Sequence, residues 1–155
     1  MTSVTVELGL MQPDGTPYTE AQMAKGGIAD FDSMDGWVRL RHGEQSFDVG
    51  DLLLYAVGAL CESVVPELTG DGVAVYVAFG HQEELTFTRK GDVITISSAW
   101  RPGITLPAEP LLRALVGAGE RFVAMLPALW EGALPEDIAD YAGQVTAAAA
   151  SLPPT

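Results

Sequence analysis

Few residues in this chain combine a reactive type with a spacing that could do chemistry. The two histidines, His42 and His81, each fall in a short polar break between apolar runs, where hairpin turns are expected. They could meet only if both turns lie at one end of a sheet. His81 has Glu83 and Glu84 close behind it, but alternation along a strand sends those carboxylates to opposite faces. With two histidines, one cysteine and no clustered ligand spacing, no metal site is expected.

Cys61 lies within an apolar helical pattern, where a thiol behaves as a small hydrophobe. The acidic pairs Asp30/Asp32 and Glu136/Asp137 fall in loop or helix-start contexts, and capping and solvation account for them. There is no G-x-S-x-G elbow, phosphate-binding loop or dinucleotide fingerprint. Gly117-Ala118-Gly119 sits inside a helical pattern, away from any strand-to-helix turn. No catalytic residue and no cofactor follow from these residues.

Charge carries more information. Twenty-one acids against eight bases give a formal net charge of −13. Eight acids and no Lys or Arg lie between His42 and Thr88, and four acids and no base follow Arg121. Such a field repels phosphate backbones and anionic lipid and speeds encounter with basic proteins. Nucleic-acid and membrane partners are therefore disfavoured. A basic protein is the expected partner, and a homodimer through the Ala- and Leu-rich last helices is a further expectation. At 155 residues the chain fits one domain over residues 1–152, with a frayed end at 153–155. A lone cysteine, a first segment MTSVTVELGL that does not read as a leader, and no apolar run of membrane-spanning length together give a cytoplasmic expectation.

The elements that would position any site read as follows. Val4, Val6, Leu8 and Leu10 alternate as a strand with one buried face. Residues 12–36 form a long excursion, with a short helix expected over 19–24 and Thr19 as its N-cap. Trp37–Arg41 and Glu44–Phe47 flank His42-Gly43 as a hairpin. A very apolar helix is then expected, with Asp48 as N-cap, Asp51 at its third position and Phe47 stapled to Leu52, ending near Pro66. Leu53, Val57, Leu60 and Val64 form its core stripe; Asp51, Tyr55, Gly58 and Glu62 form a thin stripe opposite.

Three strands follow, of which 73–79 is apolar on both faces and so expected to be central. The sheet is expected to end at Arg101-Pro102-Gly103. Two helices close the chain, the first kinked or broken near Ala124 by Pro127. The expected architecture is α+β: one mainly antiparallel sheet of five to six strands, in β-β-β-α-β-β-β-α-α order, with helices on one face.

On this scaffold the stripe Asp51, Tyr55 and Glu62, together with Trp37 above Arg39 and Arg41, suits a partner-binding surface. The functional expectation is a non-enzymatic acidic protein-binding domain, such as an immunity-type or accessory factor that neutralises a basic protein. The alternative is a small-molecule-binding protein or small enzyme. Its apolar pocket would lie between the sheet and the C-terminal helices, around Tyr76, Phe122, Met125 and Trp130.

Overall fold

A computed structural model describes residues 3–80, 82–130 and 136–153, the side chains of 136–139 excepted. His81 and the last two residues of the expected frayed end lie outside the described residues. The fold is α+β, but its strands make two antiparallel four-stranded sheets rather than one. The first contains β1 (Val4–Met11), β2 (Pro17–Tyr18), β3 (Asp35–His42) and β4 (Gln45–Leu52), in the order β2-β1-β3-β4. The second contains β5 (Gly72–Val77), β6 (Glu84–Lys90), β7 (Val93–Ser98) and β8 (Ile104–Pro107), in sequence order. Short connections join the neighbours of the second set and join β1 to β2 and β3 to β4 in the first, where β1 pairs with β3 across residues 12–34; the helical segment between β4 and β5 separates the sets.

The short helix α1 (Glu20–Ala24) lies in the excursion between β2 and β3. Thr19 caps it and Gln22 returns the bond to the Thr19 N–H, a complete capping box. Glu20 also accepts from the Leu8 N–H at 2.8 Å and pairs with Arg121, whose guanidinium further donates to the Val6 carbonyl. One ion pair thus fastens α1 to both β1 and a late helix.

The central helix starts four residues later than its sequence pattern indicated. Asp48 and Phe47 are neither cap nor staple, because the strand continues through Leu52 and α2 spans Leu53–Ala59. Phe47, Val49 and Asp51 alternate inward along β4, and Val38 faces Val49 in register. A wide π-type turn over Leu60–Val64 follows, then α3 (Val65–Glu67). Pro66 has no N–H, and its ring would crowd the Glu62 carbonyl in a regular helix. The chain widens before it, with the Val65 N–H reaching back to the Leu60 carbonyl. Leu53, Val57, Leu60 and Val64 are buried, as their spacing required.

The β5 strand is an edge rather than a centre. Its apolar character on both faces reflects an inner face of Ala74 and Tyr76 and an outer face of exposed valines. Arg101-Pro102-Gly103 is a corner after which β8 continues the sheet. The long helix α4 (Ala108–Leu129) runs unbroken through Pro127, and α5 (Glu136–Ser151) packs on it and on the π-type turn. One core cluster draws on both sheets and on α2, α4 and α5. Among the described residues no helix is long and apolar enough to cross a membrane.

Candidate functional site

The site is built on Asp51, which is fully buried. Its Oδ2 accepts the Tyr76 hydroxyl at 2.5 Å and the Phe79 N–H at 2.8 Å. Its Oδ1 accepts the Leu52 and Gly80 N–H groups, each at 2.8 Å. A buried carboxylate is costly unless such donors surround it, and here four do. Burial, and then the bond to Asp51, push the Tyr76 hydroxyl well above the ordinary tyrosine range, so it remains a donor. The end of the first sheet is thereby tied to the segment leaving β5.

That clamp sets the position of Phe79. Its side chain is 68% exposed, and its ring centroid lies 5.4 Å from that of Tyr55 on α2. Tyr55 is itself held, since its hydroxyl donates to the Val77 carbonyl at 2.9 Å and its ring lies 6.0 Å from that of Tyr76. The two rings open onto a cleft of about 490 Å3, bordered by Leu52, Asp32, Glu62 and Gln144 among others. No Lys, Arg or His is among its described lining residues. Its floor is fixed by Tyr141 of α5, which donates to the Leu54 carbonyl at 2.8 Å and lies against Gly58. A Cβ at position 58 would approach that ring to 2.8 Å, so glycine permits the contact.

A second cleft of about 480 Å3 lies along the seam between β4 and β8, lined by Gln45–Asp48 and Arg101–Ile104. Its cation is already engaged. Arg101 makes two 2.9 Å bonds to Glu83 and stacks over the Phe47 ring at 4.0 Å. This seam therefore holds the sheets together and presents little unmatched charge.

No protein-family model matches the chain, and no curated protein or solved structure matches it either. Its geometry must speak for it. Tyr55 and Glu62 line the same cleft, but Asp51 is not beside them on an exposed helical stripe. It lies beneath, at the end of β4, with no surface to offer a partner; Gly58 is likewise buried. Trp37 is elsewhere, half-buried on the outer face of the first sheet, where its ring covers Gly9 and Arg39 stacks at 5.3 Å. Arg39 pairs there with Asp48, and Arg41 pairs with Glu7.

The residues of the expected apolar pocket have separate neighbours. Tyr76 faces Asp51, Phe122 faces the Tyr141 ring, and Trp130 meets Phe31 edge-on at 5.6 Å. Tyr76, Phe122 and Met125 are buried within the core cluster. Phe79 and Asp32 are the site residues that sequence reasoning missed. Phe79 belongs to the face of Val73, Val75 and Val77, which the sequence assigns to a central strand; that face is the outer one, and Phe79 lies exposed just beyond the end of β5.

The described residues hold no cluster of His, Cys, Asp and Glu able to bind a metal ion. The Cys61 thiol is pushed up to about 12, by burial first and by the Glu120 charge second, and its Sγ lies 3.8 Å from the Leu115 carbonyl. It is an inert core thiol. His42 sits half-buried at the end of β3, with its Nδ1 unmatched among the described residues.

Proposed function

We propose that this chain is a non-enzymatic acidic binding domain that docks a basic segment of another protein at the Tyr55–Phe79 cleft, as an immunity-type or accessory factor would. The observation that carries this reading is the pairing of two exposed aromatic rings with the Asp32 and Glu62 carboxylates, in a cleft whose described lining holds no cation. An arginine or lysine side chain suits such a surface. Its stem lies along the rings and its charge meets both the ring faces and the carboxylates. The net charge of −13 adds long-range steering toward a basic partner.

The test is affinity capture from native lysate on the immobilised chain, in parallel with a Glu62→Lys variant. A basic protein should be retained at low salt, released as salt rises, and lost from the variant. Retention that ignores salt, or that survives Glu62→Lys undiminished, overturns the reading.

A further inference from the structure

The two sheets treat their outer faces in opposite ways. On the first, a charged ladder crosses the strands, with Glu7, Arg39 and Asp48 in one row and Arg41 in the next. On the second, the register places Val73, Thr88, Thr95 and Thr105 in one row and Val75, Thr86 and Ser97 in the next. The β5 valines are 57%, 49% and 56% exposed at Val73, Val75 and Val77. Two charges stand on this face, Glu84 at one end of β6 and Lys90 at the other. Both are exposed, and neither has an ion-pair partner among the described residues.

We infer that this face is the contact between two copies of the chain, packed sheet on sheet about a two-fold axis. An axis lying between the sheets, across the strands at the level of Phe87, reverses the strand direction of the second copy. It therefore sets Glu84 of each copy over Lys90 of the other, so one self-complementary patch yields two ion pairs. Two chains of net charge −13 repel wherever their acidic surfaces approach, and this nearly uncharged, β-branched face lets them meet without that penalty. A basic partner finds only one carboxylate here, whereas the Tyr55–Phe79 cleft offers two; the two surfaces are distinct.

Four strands about 4.8 Å apart and four to seven residues long give a face on the order of 400 Å2, about half of the ~800 Å2 per partner in a stable complex. The dimer is therefore reversible and concentration-dependent. The inference stands independently of the binding function proposed above.

Sedimentation velocity over a range of concentrations, up to about 1 mM, tests it through charge reversal. The chain should move from monomer toward dimer as concentration rises. Glu84→Lys and Lys90→Glu should each raise the dissociation constant by roughly tenfold, because each sets like charges face to face at both pairs. An equimolar mixture of the two variants should form a heterodimer, in which both pairs are restored. Both substitutions lie on an exposed surface, so the mixing arm reports on contact and not on folding. A chain that stays monomeric throughout, single variants that dimerise as well as the parent, or a mixture that does not associate overturns the inference.

Discussion

The Tyr76 hydroxyl donates to the Asp51 carboxylate at 2.5 Å, joining the edge strand of the second sheet to the last turn-ward residues of the first. Removing that carboxylate leaves a buried hydroxyl and the Phe79 and Gly80 N–H groups without their acceptor. Asp51→Ala is expected to lower the free energy of unfolding by about 3–5 kcal/mol. Tyr76→Phe, which removes one donor and keeps the ring, should cost about 1–2 kcal/mol. Urea unfolding measures both, and an Asp51→Ala chain within about 0.5 kcal/mol of the parent would show that the clamp is dispensable.

Phe79 and Tyr55 separate binding from stability. Phe79→Ala removes a mostly exposed ring, so its effect on stability should stay within about 0.5 kcal/mol while the basic partner is lost. Tyr55→Ala also gives up the bond to the Val77 carbonyl and should cost about 1 kcal/mol. Thermal unfolding together with partner titration distinguishes the two; loss of fold with Phe79→Ala would place that ring in the core.

Gly58 is fitted to Tyr141. Alanine is the better helix former, yet at position 58 its methyl group meets a buried ring. Gly58→Ala is expected to destabilise by about 1–3 kcal/mol. Combined with Tyr141→Ala, the second substitution should remove most of that effect, which a double-mutant cycle reads directly.

Alkaline pH should weaken the fold. Cys61, Tyr76 and Tyr141 all hold their protons more tightly in the folded chain than their ordinary values of 9.0 and 10.0 imply, chiefly because they are buried. The unfolded chain releases those protons first. The stability they support is complete below about pH 9 and falls as pH rises toward the folded values, by up to about 1.4 kcal/mol per pH unit for each group. Urea midpoints at pH 8 and at about pH 10.5 should differ accordingly, and Tyr141→Phe should flatten the slope. A midpoint independent of pH across that range would contradict the burial of these groups.

Local periodicity made much of this chain legible. The alternation from Val4 to Leu10, the Thr19 cap and the buried stripe Leu53, Val57, Leu60 and Val64 all follow from spacing and side-chain type. The sequence places the start of the central helix too early, with Asp48 as cap and Asp51 in its first turn, because acids before an apolar helix ordinarily serve its start from the surface; Asp51 instead closes β4. This one is buried and satisfied by donors 25 to 29 residues away, which no local pattern reveals. The place of β5 was hidden for a related reason, since valines on its outer face opposite Ala74 and Tyr76 on its inner face make it apolar on both sides, like a central strand. Tyr55 and Glu62 were found from helical spacing, and the structure sets both beside the same cleft despite the intervening wide turn. Phe79 comes to that cleft from the segment after β5 and Asp32 from a short 3-10 turn over Phe31–Ser33, so their role depends on tertiary placement.

The Arg121 link to Glu20 and to the Val6 carbonyl spans more than a hundred positions of the chain. During synthesis, β1 and β3 can pair as soon as both have emerged, but the partner that fastens α1 arrives only with α4. The nascent first sheet, which α2 can cover in part, must therefore wait through the whole of the second for the cover that α4 gives β1. Long-range closure of this kind slows folding and prolongs exposure to aggregation. A late-arriving arginine thus makes the earliest part of the chain one of the last to be secured.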